Sequence, residues 1–121
     1  MISFSEKVQE QITDETEVSQ MREKIYTVDE IREIVIPIAQ RHGIAALYLF
    51  GSYARGEATA ESDIDFLLDG GEIRSLYQLA AFRLDLEDAL GKQVDLLTLG
   101  QNNQLFIRKI RKDEVKIYAA A

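Results

Sequence analysis

Apolar residues occur along this chain in two patterns, short continuous blocks and stripes at three- and four-residue steps, and the two alternate. Thr27 with Glu30 three residues on has the form of a capping box, and Ile31, Ile34, Val35, Ile38 and His42 follow at helical spacing. This predicts a helix from Thr27 to about Arg41, with Gly43 as its C-terminal cap. Pro37 inside it removes one internal hydrogen bond, which predicts a kink and not a break. The block Ala45–Phe50 predicts a first strand, stopped by Gly51-Ser52, and a short helix around Tyr53–Gly56 leads to a second strand, Ile64–Leu68. Asp69-Gly70-Gly71 is a turn cluster. Ser75 and Gln78 repeat the capping pattern, Leu76, Leu79, Phe82, Leu86 and Leu90 trace the best-marked helical stripe in the chain, and Gly91 caps it. Val94–Leu99 predicts a third strand, Leu105, Phe106, Ile107 and Ile110 a helix over Asn102–Arg111, and Val115–Tyr118 a short edge strand. The alternation predicts an α/β (α+β) fold, a small mixed sheet flanked by helices, with neither an internal repeat nor a linker.

Residues 1–26 differ from the rest. They are polar, acidic (Glu6, Glu10, Asp14, Glu15, Glu17, Glu23) and carry no sustained period, so a solvated extension is expected ahead of a domain over residues 27–121. Two short helices or a mobile arm both fit that segment. Its start, MISFSEKVQEQITDE, has neither a basic region nor an apolar core of a secretion signal, and no apolar run approaches the ~18 residues of a membrane span. With no cysteine, disulfides and thiolate metal sites are excluded, and a cytoplasmic location is expected.

At 121 residues and 46% apolar content the chain can bury one ordinary core, but there is no length for a second lobe. A net charge of -7 argues against direct nucleic-acid binding. The acids concentrate: residues 57–72 hold Glu57, Glu61, Asp63, Asp65, Asp69 and Glu72 and no Lys or Arg, so a polyphosphate could approach only if metal ions neutralised the segment. Arg108, Lys109, Arg111, Lys112 and Lys116 form a basic patch that suits a solvated helix end, a phosphate or an acidic partner.

The chemistry centres on residues 44–69. Asp63 and Asp65 point to one face of the second strand and Ile64 and Phe66 to the other, because side chains alternate along a strand. Two neighbouring carboxylates repel each other, and a cation between them would stabilise the pair; oxygen-only ligands suit Mg²⁺ or Mn²⁺. Gly51-Ser52, ten residues, then Asp63-Ile64-Asp65 resembles the signature of the polymerase-beta-like nucleotidyltransferases. The longer stretch GSYARGEATAESDIDFLLD resembles the minimal nucleotidyltransferases (MNT proteins) that pair with HEPN proteins in prokaryotic toxin–antitoxin modules. No Walker-type loop, dinucleotide-binding glycine pattern or calcium loop accompanies it.

Asp95 is the lone charge within VDLLTL, and a buried carboxylate there requires a partner. Lys92 or Arg108 would serve at a strand edge. If the third strand lies beside the second, Asp95 instead completes a cluster with Asp63 and Asp65, as two-metal phosphoryl transfer requires. The resemblance implies that Asp95 also helps deprotonate the acceptor hydroxyl. Gly51 lets backbone approach a phosphate, and Ser52 either bonds the β- or γ-phosphate, as the resemblance implies, or caps the helix. Arg55 either steadies the triphosphate or pairs with Glu57. The lone histidine, His42, is expected to complement the helix dipole and has no catalytic role.

The resemblance thus implies a metal-dependent enzyme, with two ions, that transfers AMP from ATP to a hydroxyl. In HEPN/MNT modules the acceptor is a tyrosine of the HEPN toxin, whose RNase activity AMPylation silences. Two other readings stand beside it. One is an antitoxin that acts by binding alone, in a homo- or hetero-oligomer; the other is a small-molecule adenylyltransferase of the aminoglycoside-resistance type, against which the missing substrate domain counts.

Overall fold

The computed structural model describes residues 23–99 and 104–120. Residues 1–22 of the expected extension, and the first two of the helix expected from Asn102, lie outside the described residues. The chain runs α1 (Val28–Arg41), β1 (Ala46–Phe50), α2 (Gly51–Arg55), β2 (Ile64–Asp69), α3 (Leu76–Leu90), β3 (Val94–Thr98), α4 (Gln104–Arg111) and β4 (Val115–Ala119). The capping box at α1 forms in full: the Glu30 N–H donates to Thr27 Oγ1 at 3.1 Å, and the Thr27 N–H donates to the Glu30 carboxylate at 2.9 Å. Continuing through Pro37, α1 ends at His42, followed by Gly43. The predicted short helix begins two residues earlier than its sequence suggests, at Gly51, so that Gly56 becomes its left-handed C-cap.

The sheet is mixed, in the order β3-β2-β1-β4. β1 pairs antiparallel with both β2 and β4, whereas β2 and β3 are parallel, and α3 supplies the long crossover that a parallel pair requires. Alternation of side chains gives the sheet two unequal faces. On one, Leu47, Leu49, Ile64, Phe66, Leu68 and Val94 pack with Ile31, Val35 and Ile38 of α1 and Phe82, Leu86 and Leu90 of α3. Each fully buried side chain of this kind contributes roughly 1.5–3 kcal/mol, which makes this layer the main source of stability. On the other face, Phe50 and Leu67 pack with Ile107, with Tyr48, Leu97, Leu99 and Ile110 around them, so among the described residues α4 is a thin cover.

The stripe of α3 is less continuous than its spacing suggests. Phe82, Leu86 and Leu90 are buried, but Leu76 and Tyr77 are 82% and 84% exposed, because the first turn projects past the core. Tyr26, at the end of the expected extension, belongs to the core instead; it is buried and its hydroxyl donates to the Leu90 carbonyl at 2.5 Å. His42 fastens the end of α1 to α3, with Nε2 2.6 Å from Asp85 Oδ2 and its ring 5.2 Å from that of Phe82. Among the described residues no helix is long and apolar enough to cross a membrane.

Candidate active site

Strand parity places Asp65 on the same side as Leu67 and Asp95 on the same side as Leu97, which is the face that α4 covers only in part. The register of the parallel pair sets Asp65 directly against Asp95, and the antiparallel pair sets Phe50 against Asp65. One row across the sheet therefore reads Phe50, Asp65, Asp95. The two carboxylates are within hydrogen-bonding reach of each other. Partial burial, the Asp95 charge and hydrogen bond, and to a smaller extent the Asp63 charge push the Asp65 carboxyl up to about 6, and Arg55 opposes the rise. The close approach of the Asp95 carboxylate thus favours the protonated form of Asp65.

Two expectations for these acids change. Asp95 is exposed and not buried, because β3 is an edge strand; the cost of burying it therefore does not call for a partner, and its position opposite Asp65 is what matters. Lys92, one alternative partner, donates to the Ala60 carbonyl at 2.9 Å. Asp63 is exposed and precedes the first residue of β2, so the ladder does not hold it. It acts on Asp65 through its charge. Among the described residues no three Asp, Glu or His side chains stand ready to surround a metal ion. The donor set still suits one: two adjoining carboxylates, a third nearby, and a carboxyl whose raised proton affinity a cation would relieve.

Gly51 follows Phe50 at the end of β1 with φ 72, and a Cβ there would collide with Asp65 Oδ2. The glycine predicted to admit a phosphate thus also admits the carboxylate. Ser52 lies inside α2 and does not cap it; the N-cap is Phe50, without a side-chain bond, and the Ser52 hydroxyl has no hydrogen-bond partner among the described residues. Arg55 donates from Nε to Glu57 Oε2 at 3.1 Å and yet remains close enough to lower the proton affinity of Asp65, so both readings of it hold together.

Two clefts meet at Phe50 and Phe106. The larger, ≈ 610 Å³, contains Asp65 and Asp95 between walls that include Leu79, Arg83 and Leu97. The smaller, ≈ 390 Å³, contains Gly51, Arg55, Lys109 and Lys112. Sequence reasoning did not single out Arg83. Its spacing from Leu79 and Leu76 on one face of α3 was visible, but the same positions also read as core.

The model of the family described as polymerase beta, nucleotidyltransferase matches residues 33–121. A candidate protein adenylyltransferase of Methanocaldococcus jannaschii is 40% identical over 90 residues, covering 74% of this chain and 97% of its own. The protein adenylyltransferase MntA of Thermococcus cleftensis is 40% identical over 75 residues, 59% of this chain and 76% of its own. A solved candidate minimal nucleotidyltransferase is 31% identical with a TM-score of 0.65, over 74% of this chain and 95% of that one. The fold is also found in a chain of the solved complex of tri-AMPylated Shewanella oneidensis HEPN toxin with MNT antitoxin, at a TM-score of 0.60 and 18% identity over 78% of this chain and 74% of that one. The family match takes in all four strands, and with them Gly51, Ser52 and the three aspartates: this chain belongs to the polymerase beta nucleotidyltransferases.

Proposed function

We propose that this nucleotidyltransferase moves AMP from ATP to a tyrosine hydroxyl of a HEPN partner and thereby acts as an antitoxin. The observation that carries the reading is the pairing of Asp65 with Asp95 on adjacent parallel strands, beside the Gly51-Ser52 turn. The relative named MntA, a protein adenylyltransferase, and the fold shared with an MNT antitoxin bound to an AMPylated HEPN toxin support the choice of acceptor.

Asp63, Asp65 and Asp95 are the residues that would hold Mg²⁺ or Mn²⁺. Bound there, a pair of such ions supplies charge neutralisation for the triphosphate and Lewis acidity at the reacting oxygens. The rest falls to the chain. The Gly51 backbone and the unpartnered Ser52 hydroxyl meet the phosphates, and Arg55 steadies their charge. The acceptor oxygen attacks the α-phosphorus, the bond from that phosphorus to the bridging oxygen breaks, and pyrophosphate leaves. The hydroxyl proton passes to Asp95, which stands opposite Asp65 on the edge strand and lines the larger cleft. The larger cleft is open beside the exposed Leu76, and so suits an acceptor brought by another protein. The domain over residues 27–121, with Tyr26 packed into its core, is the unit proposed to do this.

Incubation with the cognate HEPN protein and ATP labelled at the α-phosphate should label the partner, and Asp65→Asn should abolish the label. Transfer from the γ-phosphate alone would make the protein a kinase. Inhibition of the partner with no transfer of either label would make it a binding antitoxin.

A further inference from the structure

The basic residues near the C-terminus do not act as one patch. Arg111 is engaged locally: its Nε lies 3.0 Å from Glu114 Oε2 and its guanidinium 5.4 Å from the centre of the Tyr48 ring. Lys116 lies on β4 and does not line the smaller cleft. Lys109 and Lys112 instead line the smaller cleft, together with Gly51 and Arg55 from the other side of Phe50. Asp113 is the one acid in that lining, so three cations face one carboxylate in a chain whose net charge is -7. Among the described residues neither lysine makes an ion pair. Cations in the last turn of a helix complement its dipole, which accounts for Lys109 as a residue type. It does not account for Lys112, which lies beyond the last residue of α4 and still reaches the same cleft.

A concave site with three cations fits a ligand carrying several negative charges, and it meets the cleft that holds Asp65 and Asp95 at Phe50 and Phe106. We propose that Lys109 and Lys112, with Arg55, form the subsite for the β- and γ-phosphates of the nucleotide, from which pyrophosphate departs. The inference rests on the nucleotidyl-transfer reading and adds two residues, from an element that the Gly-Ser and Asp-x-Asp signature does not include. α4 would then have two tasks: Ile107 on one side closes the thin face of the sheet, and Lys109 presents charge to the cleft. Lysine serves a polyphosphate as a mobile point charge and does not require the fixed geometry of a guanidinium fork.

The test is binding, measured by calorimetry with Mg²⁺ present, of ATP, inorganic pyrophosphate and AMP to the full chain and to Lys109→Gln, Lys112→Gln and the double variant. Arg108→Gln is the control, because Arg108 lies on the same helix but does not line the cleft. A charge-assisted phosphate contact at an exposed position predicts about a tenfold loss for ATP and pyrophosphate per lysine. AMP should bind each variant within about twofold of the parent, and Arg108→Gln should leave all three ligands unchanged. Equal weakening of AMP and ATP, or no change for pyrophosphate, would overturn the proposal. So would unchanged ATP binding combined with lost transfer to the protein acceptor, which would assign the lysines to partner docking. Because binding is read without turnover, a chain that binds ATP as expected but transfers no AMP would leave this subsite standing and remove the reading beneath it.

Discussion

The Asp65 carboxylate lies against the backbone of Gly51, so closely that any β-carbon at residue 51 would collide with Oδ2. Gly51 also has φ 72, where an L side chain is strained. Gly51→Ala should therefore lower stability by about 1–2 kcal/mol in urea denaturation. It should lower AMP transfer by roughly a hundredfold, because displacing a reacting group by about 1 Å has that order of cost. Transfer at the parental rate would mean that Asp65 moves aside without consequence.

The stability of the metal-free protein should depend on Asp65 in a definite direction. Its carboxyl is raised from 3.8 to about 6, so between these values the folded chain retains a proton that the unfolded chain has released. Stability contributed by that proton is present at low pH, is lost as pH rises from about 4 to 6, and stays lost above. Asp65→Asn has no such loss. In chelator it should be more stable than the parent at pH 7.5, by about 1 kcal/mol once solvent screening of a half-open group is allowed for, and should lose that advantage near pH 4. Mg²⁺ should raise the melting temperature of the parent more than that of the variant.

Asp95 is exposed, so Asp95→Asn should change folding stability by no more than about 0.5 kcal/mol. Transfer should nonetheless fall by at least about a hundredfold, the usual contribution of a positioned acid–base group. Single-turnover kinetics with labelled ATP, alongside a denaturation curve, separates the two effects.

Two core tyrosines should respond oppositely to loss of the hydroxyl. Tyr26 donates to the Leu90 carbonyl, and Tyr26→Phe should cost about 1 kcal/mol. The Tyr53 hydroxyl is buried and makes no well-formed hydrogen bond among the described residues; burial pushes its proton affinity up, and the nearby Tyr26 backbone only partly offsets the rise. Tyr53→Phe should be neutral or slightly stabilising, since it removes a desolvated polar atom. Equilibrium unfolding of both variants decides this.

Much of the molecule follows from local chemistry. The capping box of α1, the Ser75 cap of α3, the glycines after α1 and α3, the short apolar blocks and the spacing from Gly51-Ser52 to Asp63-Ile64-Asp65 all act over a few residues, and the elements they predict are those observed, to within one or two residues. Parity within β2 likewise follows from its own sequence, so the shared face of Asp65 and Leu67 is a local fact, whereas Asp63 lies before the strand and parity does not fix its side. What depends on residues distant in the chain had to await the tertiary structure. The strand order leaves β3 at an edge, which exposes Asp95 in a segment whose composition reads as buried, and the parallel register then sets it opposite Asp65. Leu76 has the spacing of a core residue but no layer above it to pack against. Lys109 and Lys112 are indistinguishable in sequence from Arg108 and Arg111; only the seating of α4 through Ile107 turns these two toward Gly51 and Arg55. Periodicity specifies which side chains share a face, whereas the neighbour of that face is chosen by packing between elements, to which no short stretch of sequence has access.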